Sequence, residues 1–312
     1  MSLIVQINNY LKTYGLFKGF SIVIKRKLNS LKSKKELKTI TPYIDQQFSY
    51  LLKNYEKSNE NQQTVKNIFF LWWQGKEKMP YICQMCYKQI KHLYPDYRII
   101  FIDKNNFNKY IKIDDNLINK FESGMISIQT FSDIIRFNLI YSLGGVWIDS
   151  TLFLPQRIDF EKYINKYSFF SLNTKNVNDF FSYCNFSSSW TSFLIGGPKG
   201  SNLFKAIVEL YVNFFLIQNN NKKAPYFLTD IFIMLCKKYH VSNNAIDNFS
   251  NEVIFNNYDF MFLINNLNSK NIDYKILYKY GPQKLNWRIN IEKFNKKSLI
   301  LRINSEVENI CF

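Results

Sequence analysis

The order of apolar segments between residues 67 and 149 constrains the fold more than any other feature of the chain. "NIFFLWW" (67–73) reads as a buried strand, stopped by Gly75 and Pro80. A helical stretch follows to about Leu93, "PDYRIIFID" (95–103) is a second strand, and residues 104–122 mix helix and loop. "SIQTFSDIIRFNLIYSLGG" turns Phe131, Ile134, Ile135, Leu139 and Ile140 toward a core and stops at Gly144–Gly145, where a glycine cap is expected. "VWID" (146–149) is then a third buried strand. The alternation strand, helix, strand, helix, strand predicts an α/β layer with a largely parallel sheet. In such sheets ligands bind beyond the carboxyl ends of the strands. Asp149 ends the third strand and residues 72–75 end the first, so parallel pairing puts both on one rim.

The signals on either side are weaker. "WTSFLIGGPKGSNLFKAIVELYVNFF" (190–215) reads as strand, turn and helix, and "APYFLTDIFIMLCKKY" (224–239) as another helix. "KILYKYGPQKLNWRIN" (275–290) ends in a loop holding Gly281, Pro282 and Lys284. "EKSNENQQTVK" (56–66) is polar and reads as a linker, which divides the chain into an extension over 1–60 and a main domain over 61–312. The extension is basic: nine lysines and arginines between residues 12 and 38 face one acid, Glu36. Two apolar groups at helical spacing run through it: Leu3, Ile7, Tyr10, Leu11 and Tyr14, then Phe17, Phe20, Val23, Ile24 and Leu28. Basic amphipathic helices of this kind lie on anionic membrane surfaces; the same pattern also suits helices packed on the main domain with a solvated basic face.

Hydrophobic residues make up 46% of the 312 and aromatics 18%, which supplies a large core and excludes wholesale disorder. The net charge of +17 attracts polyanions: a nucleotide diphosphate, an anionic membrane or a nucleic acid. Against nucleic acid, the lysine cluster is terminal, the aromatics sit inside apolar runs, and no nucleic-acid motif occurs. Five cysteines are too few for a disulfide scaffold, which suggests a reducing, cytoplasmic setting. Cys83 and Cys86 form a CxxC that fits two small apolar residues one turn apart on a helix, or a redox pair. No apolar run approaches the roughly 20 residues of a membrane span, and the N-terminus does not read as a secretory signal.

Asp133 and Arg136 are three apart on the helix before the double glycine, so both point to one site. A helical ion pair explains them too, but in so apolar a segment a buried pair costs desolvation and commonly signals a ligand or a structural lock. Asp149, at a strand end, suits a hard divalent cation that needs only one or two protein oxygens when bound to diphosphate.

Taken together, "WWQG" (72–75), "SDIIR" (132–136) and "GGVWIDST" (144–151) resemble the capsular polysaccharide synthesis glycosyltransferases. These are relatives of the DXD-containing sugar transferases, among them the yeast-type initiating α-mannosyltransferases and, more distantly, the large clostridial glucosylating toxins. The resemblance covers residues 67–155 and extends weakly to Thr229–Asp230 and to "GPQKLNW" (281–287).

It implies a GT-A-like, Rossmann-type mixed α/β sheet flanked by helices, here with an N-terminal helical extension. It also implies a nucleotide-sugar-dependent hexosyltransferase, working from a UDP-hexose with retention on a lipid-linked oligosaccharide in bacterial surface polysaccharide synthesis. Trp73 matches the aromatic that stacks on uracil, with Trp72 as its neighbour or alternate, beside Gly75. Asp133 and Arg136 match the pair that hydrogen-bonds ribose and sugar hydroxyls, and Lys284 matches a lysine on the β-phosphate. Asp149 matches the first carboxylate of the DXD motif. Asp230, in "FLTDIF", is the best candidate for a polar group near the anomeric carbon or the acceptor; a helix residue capping or pairing elsewhere explains it equally well.

The second DXD position is Thr151, and a histidine ligand found in related loops is replaced by Tyr278. Asp149 and Thr151 are therefore expected to hold Mn²⁺ or Mg²⁺ weakly. The same departure is consistent with a catalytically inactive relative that serves as an interaction module. The basic extension would place the enzyme peripherally on the inner face of the cell membrane.

Overall fold

The computed structural model describes residues 11, 16–57, 63–173, 190–217, 224–225 and 227–310. A long helix, α1 (Leu16–Leu52), leads to β1 (Asn67–Leu71), α2 (Tyr81–Leu93), β2 (Arg98–Ile102), α3 (Asp115–Glu122), α4 (Ile128–Leu143) and β3 (Gly145–Ile148). The alternation expected over 67–149 is present, with α3 as the helical part of the connection after β2. Then follow β4 (Leu152–Phe153), α5 (Phe160–Tyr167), β5 (Phe170–Ser171), β6 (Leu194–Gly197), α6 (Asn202–Ile217), α7 (Leu228–Lys238), α8 (Val241–Phe249), α9 (Phe262–Asn265), α10 (Ile276–Tyr280), β7 (Gln283–Lys284) and α11 (Leu299–Ile310).

The main sheet has five strands in the order β2-β1-β3-β6-β5. β1 runs parallel to β2 and to β3, whereas β6 is antiparallel to both of its neighbours. The sheet is thus mixed, and its parallel half carries the rim inferred from the sequence. Ile68, Phe69 and Phe70 are all buried, as expected of a strand covered on both faces.

The glycine stop works as a joint between α4 and β3. Ser127 caps the start of α4, its hydroxyl accepting from the Thr130 N–H. At the other end Gly144 takes φ +68° and Gly145 φ +125°. A Cβ on Gly145 would lie 2.4 Å from the Asn67 carbonyl oxygen, so only glycine lets β3 enter this close beside β1. Asn67 also closes the helix end: its amide donates to the carbonyls of Leu143 at 3.2 Å and Gly144 at 3.0 Å.

Two apolar clusters meet at α2. Cys83 and Ile90 join the large core around the main sheet, while Ile82, Met85 and Cys86 pack with Leu299, Ile300 and Ile303 of α11. The CxxC is therefore a pair of buried free thiols on a helix. Burial pushes the Cys83 thiol up to about 11, which makes it a poor thiolate and disfavours the redox reading.

The loop expected around Lys284 forms a short strand instead. β7 pairs antiparallel with β4, placing Lys284 opposite Leu152. The physical reason is Gln283, whose buried amide donates to the carbonyls of Asp259 and Gly281 and accepts from the Leu263 N–H. A glutamine so fully partnered fixes the backbone on both sides.

Of the N-terminal apolar groups, Leu3, Ile7, Tyr10 and Tyr14 lie outside the described residues. The second group falls within α1, which continues past Pro42. Its far end belongs to the main core: Ile44, Phe48 and Leu52 are buried there, and Tyr239 donates to Asp45 at 2.7 Å. Its near end presents Phe17, Phe20, Ile24 and Leu28 to solvent. Of the polar segment 56–66, residues 58–62 lie outside the described residues; on either side the Glu56 carbonyl accepts from Asn243 at 2.7 Å and Gln63 bridges to Lys199. No helix among the described residues is long and apolar enough to cross a membrane.

Candidate functional site

β1, β2 and β3 are parallel, so their carboxyl ends open on one side. Trp72 and Asp149 both leave the sheet there, as the sequence implied. The turn after β1 is closed by the Gly75 N–H donating to the Trp72 carbonyl at 3.0 Å, with Gly75 at φ +93°. Trp73 is half-buried and wedged against Phe107, Phe121 and Phe131, with ring centroids 5.3–5.7 Å apart. Trp72 meets Trp287 edge to face at 6.1 Å, which joins this turn to the segment just after Lys284.

The charged centre is built on Arg136. Its Nη2 donates to Asp149 Oδ1 at 3.0 Å, and its Nη1 stands 2.8 Å from Asp133 Oδ1. The guanidinium also lies over the Trp147 ring, 4.8 Å from its centroid. The arginine side chain is only 6% exposed, and its Nε–H and Nη1–H are buried without a well-aligned hydrogen-bond partner, the Nη1 contact being close but out of line. Buried donors of this kind are costly unless something completes them.

Asp149 receives more than Arg136. Trp147 Nε1 donates to the same Oδ1 at 2.7 Å, and Lys284 Nζ donates to Oδ2. The Asp149 N–H donates to the Phe193 carbonyl at 2.9 Å, and the Phe193 ring lies under the Lys284 ammonium at 5.3 Å. Burial alone pushes the Asp149 carboxyl up. The cations of Lys284 and Arg136, with the two hydrogen bonds, outweigh that and hold it below the ordinary carboxylate range.

On the other side, Thr229 donates to Asp133 Oδ2 at 2.7 Å, and Tyr211 meets the same threonine hydroxyl at 2.5 Å. Asp230 follows in the first turn of α7 and accepts from Trp190 Nε1 at 3.1 Å. Burial pushes the Asp133 carboxyl up, and Arg136 and Thr229 offset only part of this. Burial also pushes Asp230 up to about 6; the Trp190 N–H opposes the rise and the nearby Asp133 charge adds to it. One ionised carboxylate thus stands beside two whose proton affinity is raised, a pattern typical of acid–base sites.

The structure gathers Asp133, Arg136, Asp149 and Lys284 into one network and sets Asp230 next to it. Thr151 lies two residues beyond Asp149 but is tied into the junction of β4 and β7: its residue is buried and its carbonyl accepts from the Leu285 N–H at 2.9 Å. Tyr278 is exposed, and its carbonyl accepts from Gln156. Sequence reasoning missed Trp147, Trp190, Tyr211 and Phe193. Trp147 was within reach, because residues two apart on a strand share a face and Asp149 follows it by two.

The donor set suits a resident Mn²⁺ or Mg²⁺ poorly. A carboxylate offers about four acceptor positions, and Asp149 spends three of them on two cations and an indole N–H. The described residues hold no group of three or more histidine, cysteine or carboxylate side chains placed for a metal. What the cluster can do is recognise an anion at Lys284 and hydroxyl groups at Asp133 and Arg136.

Among curated proteins no relative matches the chain. Among solved structures, a PaToxG glycosyltransferase is similar over 68% of this chain and 79% of its own, at 13% identity and a TM-score of 0.37. A family of proteins described as capsular polysaccharide synthesis proteins matches residues 20–303, which includes every residue of the charged centre. The chain belongs to the capsular polysaccharide synthesis protein family.

Proposed function

We propose that the chain is a glycosyltransferase that moves a hexose from a UDP-sugar, with retention, to a lipid-linked oligosaccharide in capsular or related surface polysaccharide assembly. The observation that carries this reading is the buried Arg136, clamped between Asp133 and Asp149 on the rim of the parallel strands. Family membership supports the same role.

In this reading the tryptophans after β1 flank the uracil, and Asp133 with Arg136 holds ribose and sugar hydroxyls. Lys284 meets the β-phosphate. Retention needs no protein base if the departing phosphate takes the acceptor proton on the same face, which leaves positioning and charge stabilisation to the enzyme. In this reading Asp230, which follows Thr229 and accepts from Trp190, orients the acceptor or the anomeric carbon. The exposed apolar stripe of α1, with Lys25, Lys35 and Lys38 also exposed along the helix, suits an anionic membrane carrying the lipid-linked acceptor. In this reading the enzyme works at the inner face of the cell membrane.

Thr151 in the motif favours one competing reading, a catalytically inactive interaction module. A thermal-shift screen of UDP-, GDP- and CDP-sugars, followed by assay of nucleotide release with wild type and Asp149→Ala, separates the two. Selective stabilisation by one UDP-sugar together with release that Asp149→Ala abolishes is expected. Stabilisation without turnover in any condition leaves the module, and no stabilisation by any nucleotide removes both donor and reaction.

A further inference from the structure

This inference rests on the nucleotide-sugar reading above and concerns what neutralises the donor's diphosphate. Three observations bear on it. Asp149 is committed to Arg136, Trp147 and Lys284, so a divalent cation on that carboxylate would stand beside a guanidinium and an ammonium and be repelled by both. The next motif position is Thr151, a neutral residue buried where β4 joins β7. Lys284 is held from both sides, its N–H donating to the Phe260 carbonyl at 2.8 Å and its strand paired with β4, while its side chain stays 27% exposed. Arg136, whose side chain is 6% exposed, pairs with the other oxygen of the same carboxylate.

We propose that Lys284, backed by Arg136, takes the place of the divalent cation, and that Asp149 is a positioning residue that aims these cations rather than a metal ligand. An ammonium carries three N–H donors and Asp149 accepts one, so the same group can reach a phosphate oxygen. In the transfer, the bond between the sugar C1 and the β-phosphate oxygen breaks and its electron pair goes to the phosphate. The acceptor hydroxyl oxygen bonds to C1, its proton passes to the β-phosphate, and Lys284 stabilises the charge that develops on the leaving UDP. Atoms and electrons balance with no further reactant.

The test is calorimetric titration of the full chain with UDP and with UMP, each in EDTA and in Mn²⁺. The expected result is UDP binding that agrees within twofold in the two conditions. Lys284→Ala is expected to weaken UDP at least tenfold and UMP less than twofold, because UMP lacks the β-phosphate. Lys284→Arg, which keeps the charge, retains most of the preference for UDP and guards against misfolding as the cause. UDP binding that disappears in EDTA and returns with Mn²⁺ overturns the proposal, as does an equal loss of UDP and UMP in Lys284→Ala. If neither nucleotide, nor GDP or CDP, binds in either condition, the nucleotide-sugar reading itself falls and takes this inference with it.

Discussion

Arg136 joins Asp149 to Asp133: one guanidinium nitrogen lies 3.0 Å from the first carboxylate and another 2.8 Å from the second. Removing a single member of such a set leaves uncompensated charge. Arg136→Ala leaves Asp133 without a cationic partner among the described residues and Asp149 with Lys284 and the Trp147 N–H, at a cost of about 3 kcal/mol. Arg136→Lys recovers less than half, since one ammonium does not reproduce a planar fork that spans two acids. Urea denaturation of the two variants measures this, and full recovery by lysine would show that only charge matters.

Much of this centre was legible in the sequence, and the reasons differ by residue. Asp133 and Arg136 share a helix face by spacing alone, and Asp149 ends a strand whose parallel pairing follows from element order. The rim could therefore be placed without tertiary information. Lys284 was assigned by resemblance, but its partner was not: its contact with Asp149 spans 135 residues and depends on the β4–β7 pairing, which two-residue strands do not announce. Trp190 and Tyr211 were invisible because each meets its partner through tertiary packing: Trp190 reaches Asp230 from the segment before β6, and Tyr211 reaches Thr229 from α6 to α7. The convergence of three donors on Asp149 is likewise a property of tertiary packing.

The Gly144–Gly145 joint gives a sharp structural test. A side chain on Gly145 meets the Asn67 carbonyl at 2.4 Å, in a backbone conformation that L-residues rarely adopt. Gly145→Ala is expected to destabilise the protein by about 3 kcal/mol or more, through strain and the forced parting of β1 from β3. Gly124→Ala is the control: it too has positive φ, but its Cβ meets nothing within 4 Å, so its loss stays near 1 kcal/mol. Comparable melting temperatures for the two variants would contradict the close approach.

The proposed membrane contact turns on the exposed half of α1. Phe17, Phe20, Ile24 and Leu28 recur on one side of the helix, whereas Ile44, Phe48 and Leu52 hold its other end in the core. Co-sedimentation with anionic vesicles is expected for the wild type and lost in a Phe17→Asp, Ile24→Asp double variant with an unchanged melting temperature. Neutral vesicles should bind weakly, and binding to anionic vesicles should fall with salt. Equal sedimentation of wild type and variant would assign the stripe elsewhere.

Asp230 supplies a prediction whose sign can be worked out from its environment. Burial raises its carboxyl from 3.8 to about 6, so between these values the folded chain binds a proton that the unfolded chain has released. Stability contributed by this group is therefore present at low pH and lost as pH rises from about 4 to about 6, by at most about 3 kcal/mol over that interval. Asp133 is moved in the same direction and adds to the trend, while Asp149 is moved the other way and loses stability as pH falls through its lowered value. Asp230→Asn isolates the first contribution, because asparagine keeps an oxygen to accept the Trp190 N–H at 3.1 Å but carries no charge. The variant should match wild type near pH 4 and be more stable than it at pH 8, as measured by urea denaturation at each pH. If the two proteins instead show the same stability difference at both pH values, Asp230 does not change its protonation across this range. If Asp230→Asn gains stability at pH 8 and loses sugar transfer, its charge serves the reaction at a cost to the fold, as expected of a group placed for function.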